Sequence, residues 1–433
     1  VMHRIRTAKF VAAAAALTLT ACSSPSPELL KADGVERVSL QLSEYDADVR
    51  ALRNSAFVLG SALLENGGDG SDGNTVSSPG SLLIALAMLR AGASGETAVE
   101  LDEVLGLAGV RRDEAMNALL ASLEDFDGDP GSVDEDNPPK HPVLHSANGL
   151  FVDRNVTTGP GYLDTLARHY GTGVFPVDFS NEAATKPAID AWVDRNTGGR
   201  IKQAPAKYDV RNTFSLLNAL YFAAAWQHPF DANRTFDSPF TKADGEQIMA
   251  PAMRNELKVA YAEGAGWRGV DLPYAEGFVM RLILPDQAEG GDKGTGTKFG
   301  AAKLTDIAEA FGGAEPAQAQ AQVQVQLPTW DHKTSFDLRE VMAELGLQKT
   351  LSTNIDFDAI QRELMLTQAA QAANITVAEK GTVAAAVTQI NGMVTSAPPV
   401  PAISIEFDRA FHYQVVHVET GLPLFMGTVA DPR

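Results

Sequence analysis

From about Ser43 the apolar residues of YDADVRALRNSAFVLGSALL recur at three- and four-residue spacing, which predicts an amphipathic helix. A Gly/Asp-rich loop, ENGGDGSDGN, separates it from VSSPGSLLIALAMLRAGA, where Ser78 stands at an N-cap position and Pro79 in the first helical turn. That second helix is apolar nearly all round and therefore belongs inside the molecule. SGETAVELDEVLGL predicts a third helix running to Leu107, and the acidic, Pro-rich stretch 125–142 (DFDGDPGSVDEDNPPKHP) predicts a solvated loop. HSANGLFVD reads as a strand, and TKPAIDAWVDRNTGGRI as a helix stopped by paired glycines. NTFSLLNALYFAAAW is apolar without alternation, the mark of a strand buried on both faces and running out at Trp226. GVDLPYAEGFVMRLILPD predicts two strands, PDQAEGGDKGTGTKFG a loop, and QAQVQVQLPTW alternates with period two, as a strand with one wet face does. Helices dominate the first half and strands the second, which predicts an α+β fold.

The chain has 433 residues, enough to bury a large core. Its formal net charge of -20, with no basic stripe, argues against direct nucleic-acid binding. Residues 1–21 read as a signal peptide: Arg4, Arg6 and Lys9 precede an apolar run from Phe10 to Thr20 that is too short for a permanent bilayer span. The run ends in Leu19-Thr20-Ala21-Cys22, which resembles a bacterial lipoprotein box. Cleavage before Cys22 and lipidation of its thiol would anchor an exported protein to the cell envelope on the extracytoplasmic side. Cys22 is the sole cysteine, so no internal disulfide forms. Loss of residues 1–21 leaves 32 Lys and Arg against 55 Asp and Glu, a balance of -23 that favours a dispersed monomer touching the membrane only through its anchor. Residues 22–42 read as the lipidated cysteine and a flexible tether, and 43–433 as one domain.

Enzyme signatures are missing from the sequence. It contains no GxSxG, HExxH, Walker loop or dinucleotide fingerprint, and one cysteine cannot make a thiolate zinc cluster. The reading is therefore no catalytic residues, no metal and no cofactor. His412 and His417, in a strand-like run, read as packing or surface residues.

The segment EKGTVAAAVT near the C-terminus is neither a good surface nor a good core. As a strand, one face would carry Thr382, Ala384, Ala386, Thr388, Ile390, Gly392 and Val394, all small or apolar. The other would carry Val383, Ala385, Val387, Gln389, Asn391, Met393 and Thr395, including the amides, and could face water. No charge or proline occurs between Gly381 and Ser396, so every backbone N–H can join a ladder.

Together, VSSPGSLLIALAMLRAGASGETAVEL, NTFSLLNALYFAAAWQHPF, EKGTVAAAVT and FHYQVVHVETGLPLFMGTV resemble the serpins in order and spacing, over residues 43 to 433. The resemblance implies a large central, mostly antiparallel sheet with smaller sheets, helices packed around it, and an exposed reactive loop at about 380–402. It further implies suicide inhibition of a serine protease, trapped as an acyl-enzyme when the cleaved loop enters the central sheet. Glu379, Gly381, Thr382, Ala384, Ala385, Ala386 and Thr388 fall on the family's hinge. Ser78, Ser81 and Asn218 fall on its sheet-opening cluster, with Gln371 where a histidine is frequent, and Trp226 falls where insertion begins. Val383 replaces a usual glutamate and Val387 a usual small residue. Counting fourteen positions from Gly381 places the reactive bond at Thr395–Ser396, with Met393–Val394 as the alternative, because the far side of the loop is longer than usual. A small β-branched Thr395 suits an elastase-like or subtilisin-like protease. The competing expectation is a non-inhibitory serpin-like binding protein of the cell envelope.

Overall fold

The computed structural model describes residues 27–70, 73–205, 208–286, 299–312, 320–353, 355–382 and 403–433. Its helices are α1 (Asp46–Asn66), α2 (Pro79–Ala91), α3 (Gly95–Leu105), α4 (Val110–Leu123), α5 (Pro160–Thr165), α6 (Glu182–Asn196), α7 (Ala301–Gly312), α8 (Leu338–Glu344) and α9 (Gln348–Ser352). The strands are β1 (Thr75–Ser77), β2 (Val143–Asp153), β3 (Phe175–Val177), β4 (Phe214–Ala225), β5 (Phe236–Thr241), β6 (Gln247–Gly264), β7 (Trp267–Pro273), β8 (Phe278–Pro285), β9 (Gln320–Pro328), β10 (Trp330–Asp337), β11 (Gln368–Ala378), β12 (Gly381–Thr382), β13 (Ile403–Glu406), β14 (Phe411–His417) and β15 (Pro423–Val429). They form two sheets. One runs β10-β11-β12-β4-β2-β3; the other runs β1-β15-β14-β8-β7-β6-β9-β13, with β5 on β6. Most pairs are antiparallel, and the β11–β4 contact is a parallel exception.

The apolar second helix lies where its composition sends it. Every residue of α2 from Pro79 to Leu89 is buried, between the two sheets and the flanking helices. Ser78 caps it, its Oγ accepting from the Ser81 N–H at 3.3 Å. β4 is buried from Phe214 to Ala224 because it has cover on both faces. Leu216, Leu220, Phe222 and Ala224 join the main core with α2, while Leu217 and Ala219 pack with Trp192 of α6 on the opposite face. The alternation is masked because both faces are dry. α6 ends as expected at Gly198 and Gly199, whose φ values of 61° and 81° favour glycine.

Three local expectations are corrected. α3 stops at Leu105 rather than Leu107, because Gly106 takes a left-handed cap. The stretch 27–42, expected as part of a free tether, is docked on the body. Leu30 bridges Val174, its N–H donating to the Val174 carbonyl at 2.8 Å, and Arg37 Nη2 donates to the Asn117 carbonyl at 2.8 Å. The acidic segment 125–142 is the third, and only in part: most of its residues are exposed as expected, but Pro130, Pro138 and Pro142 are buried and Val133 packs on the sheet.

Candidate functional site

The central six-stranded sheet has a seam. Its lower part is closed, with β11 directly on β4 and Gln371 opposite Asn218. Its upper part is parted by β12, which pairs with both neighbours: Thr382 opposes Val377 on one side and Ala224 on the other. Residues opposite one another across the seam are 153 positions apart both below (371 and 218) and above (377 and 224). The seam therefore opens by one strand width without a register slip. Between the two zones, Ala373–Thr376 of β11 and Leu220–Ala223 of β4 have no ladder partner on that edge among the described residues.

Below the gap the predicted polar residues converge. Gln371 is fully buried; its Oε1 accepts from the Ser78 N–H at 2.8 Å, and its Nε2 donates to the Ser78 carbonyl at 2.9 Å and to Asn218 Oδ1 at 2.8 Å. Asn218 Nδ2 donates to Ser81 Oγ and Asn148 Oδ1, and Ser81 Oγ lies 3.3 Å from Ser146 Oγ. Ser78 Oγ donates to the Leu424 carbonyl at 2.8 Å. An amide at 371 thus satisfies three neighbouring groups, whereas an apolar residue would leave the buried Ser78 N–H unpaired. Asn148 and Ser146, both on β2, complete the cluster; nothing in HSANGLFVD distinguished them from ordinary strand residues.

Above the gap the chain is tightly held. A Cβ placed on Gly381 would lie 2.1 Å from the Ala224 carbonyl oxygen, so close approach of two backbones requires glycine there. Thr382 is 1% exposed and its hydroxyl meets the Tyr274 hydroxyl. Burial pushes the Tyr274 phenol far above its ordinary pKa, so it remains a neutral hydrogen-bonding group. Trp226 stacks on Tyr274 with centroids 4.5 Å apart, and its indole N–H donates to the Ala378 carbonyl at 2.9 Å. Its backbone N–H donates to the Lys380 carbonyl at 3.0 Å. Glu379 is buried and accepts from Thr235 Oγ1 at 2.7 Å. The remaining predicted loop residues (Ala384, Ala385, Ala386, Thr388, and Met393 through Ser396) lie outside the described residues, as does Cys22.

The expectation that the second face of the loop meets water falls on residues outside those described, but the outward face of the sheet beside it is covered rather than wet. Leu217, Ala219, Ala370 and Ala372 are packed under α6, and Val133 of the acidic segment covers Tyr221 and Ala223. Tyr274, Val133 and Lys380 carried no signal in the sequence, because their place depends on contacts between distant segments.

Among the described residues no cluster of three His, Cys, Asp or Glu side chains is placed to hold a metal ion, and no helix is long and apolar enough to cross a membrane. His412 and His417 are buried at 0% and 2% exposure, and burial lowers their pKa values to about 3 and about 4. The unfolded chain, with imidazoles near 6.5, therefore binds their protons first, and stability complete above about pH 6.5 falls by roughly 1.4 kcal/mol per unit per group on acidification. His145, against Asp127 and Asn196, works oppositely: burial lowers its pKa, but these partners outweigh that and raise it. With His332 also lowered by burial, the loss prevails. The melting temperature should drop by several degrees between pH 7.5 and pH 5; a flat profile would contradict the neutral burial of both imidazoles.

Comparison with known proteins agrees with this architecture. The family model described as "Serpin (serine protease inhibitor)" matches residues 51–432. Serpin-Z1C of Triticum aestivum is 30% identical over 83% of this chain and 90% of its own length. Alpha-1-antiproteinase of Mus saxicola is 26% identical over 83% of each. Among solved structures, the native thermophilic serpin tengpin shares the fold with a TM-score of 0.75 and 23% identity, covering 94% of this chain and 100% of that one. The complex of thyroxine-binding globulin with thyroxine does so at 0.72 and 24%, covering 89% and 99%. Members are thus in general protease inhibitors, with ligand-carrying relatives among them. With the family match spanning nearly all of the folded body, this chain belongs to the serpins.

Proposed function

We propose that the protein is an inhibitory serpin: a serine protease cleaves its loop, is held as an acyl-enzyme, and is trapped as the loop becomes a strand of the central sheet. The observation that carries this reading is the position of Gly381 and Thr382, already paired with β11 and β4 above a stretch where those two strands have no ladder partner between them among the described residues. The mode is strand addition, for which serpin loop insertion is a worked example. Continuing the same register places Ala384 between Phe222 and Ile375, Ala386 between Leu220 and Ala373, and Thr388 between Asn218 and Gln371. The first two meet apolar residues of the main core, and Thr388 brings a hydroxyl to the amides whose direct 2.8 Å bond it would divide. Small residues on that face, and no proline or charge through Ser396, are what such a slot accepts.

The target serine attacks the carbonyl carbon of Thr395, the Thr395–Ser396 bond breaks, and Ser396 leaves as a new amino terminus. Inserting strand residues rise ~3.3 Å each, so the ester-linked enzyme travels tens of ångströms. The reading extends to an elastase-like or subtilisin-like target and to an envelope-anchored inhibitor lipidated at Cys22. Mixing the protein with a panel of serine proteases should give a denaturant-resistant adduct and release a C-terminal peptide. A peptide beginning at Ser396 supports the counted bond; one beginning at Val394 selects the alternative. Cleavage without adduct by every protease would instead favour a non-inhibitory binding protein.

A further inference from the structure

The acidic segment does more than cover the sheet. Phe126 anchors its start, 4.7 Å from Phe278, and Pro130 lies against Gly198 just beyond α6. Val133 then seats on Tyr221 and Ala223, the β4 residues beside the gap. Glu135 pairs with Arg200 at 3.0 Å, and Arg200 Nη1 donates at 2.9 Å to both Asn374 Oδ1 and Thr376 Oγ1. Those two are the outward residues of β11 on the other side of the gap. Lys380 Nζ, in the turn that leads into β12, donates to the Asp136 carbonyl at 2.8 Å and to Asn137 Oδ1 at 3.2 Å. Finally the Pro139 carbonyl accepts from the Ala225 N–H at 2.8 Å. Residues 126–139 therefore cross from the β2–β4 side to β11 and to the start of the loop.

We infer that this segment is a strap latched by Arg200 and Lys380, and that the latch sets how fast the loop passes beyond Thr382; the inference rests on the trapping reading above. A further inserted residue moves β11 away from β4 toward the ~4.8 Å spacing of an added strand. Arg200 stands on the α6 side and holds β11, so that movement stretches its two bonds. In the continued register the outward loop residues Val383 and Ala385 arrive opposite Thr376 and Asn374, beneath Val133 and Glu135. An uncharged Val383 fits this cover, since a carboxylate there would face the strap's own acids. Once the acyl-enzyme has formed, insertion races its hydrolysis, and the latch shifts that race toward release. Arg200 and Lys380 are positioning residues; neither touches the protease.

The test uses the intact full-length protein and a labelled synthetic peptide of residues 382–395, which would fill the gap from outside. Arg200→Met and Lys380→Met should each take up the peptide about fivefold or more faster than the parent, as expected for losing a charge-assisted hydrogen bond, and should form more adduct per loop cleaved. Arg90→Met removes a bidentate pair with Asp102 far from the seam (2.7 and 2.8 Å) and controls for general loosening. Uptake unchanged in both latch variants, or accelerated equally by Arg90→Met, overturns the strap while leaving trapping intact. If the parent takes up no peptide and forms no adduct, the trapping reading falls and the strap with it.

Discussion

Nicking the loop of the folded protein should raise its melting temperature by roughly 10–20 °C. The ladder explains why. If the register set by Thr382 continues after cleavage, loop residues 383–392 would run beside β4 down to Phe214 and their backbone groups would find partners on two edges. The direct β11–β4 pairing over Gln368–Ala372 is given up in exchange. At about 1 kcal/mol net per hydrogen bond the balance is on the order of 10 kcal/mol. That is comparable with the whole stability of an ordinary domain. A kilocalorie moves the midpoint of a 150–250-residue domain by about 2–4 °C, and of a larger chain by less. On the trapping reading, the intact chain would stay in the less stable arrangement because its loop is still joined covalently to β13, and its native state would be kinetically held. Differential scanning calorimetry on intact and nicked protein checks this directly. Equal midpoints would show that the gap is not a vacancy the loop can fill, and trapping would lose its driving force.

How far the site was legible follows from how local its causes are. The buried run of β4 and the capped, all-apolar α2 are properties of contiguous residues, and their place in the fold followed from pattern alone. The convergence of Ser78, Ser81, Asn218 and Gln371 spans nearly 300 positions and came from resemblance, not from periodicity. Residues 125–142 misled because acidic and proline-rich composition signals solvent exposure. Here most charges are exposed or paired, while Pro130 packs against Gly198 and Val133 meets the sheet. Alternation assigned Thr382 to the core-facing side, where it is buried, but it cannot say that α6 and the strap cover the outward face of the sheet. The docked stretch 27–42 was misread for the same reason: Leu30 and Arg37 are unremarkable until Val174 and Asn117 are brought beside them.

If the chain traps proteases as proposed, Thr382→Arg should turn it from an inhibitor into a substrate. Thr382 sits at the top of the seam with its side chain on the core face, against Tyr274 and only 1% exposed. The described groups around it are the Trp226–Tyr274 stack and Phe222, packed edge-on against Tyr274 at 5.1 Å. A guanidinium there loses its hydration against these aromatic rings, a penalty of several kcal/mol. The chain can avoid it by leaving the first loop residues out of the sheet, so the variant folds but its seam closes above as well as below. Because about 1.4 kcal/mol is a tenfold change in rate, insertion should slow by roughly a hundredfold or more. Hydrolysis of the acyl-enzyme then wins, and protease is released with the loop cut. Titrating protease against the variant should give cleaved protein with little denaturant-resistant adduct. Thr382→Val separates charge from the lost hydroxyl bond: it keeps the shape and apolar fit, leaves Tyr274 one partner short, and should still trap. Were Thr382→Arg to trap as well as the parent, the first loop residue would not need the core face at all, and the register drawn from its two ladders would not be the path of insertion.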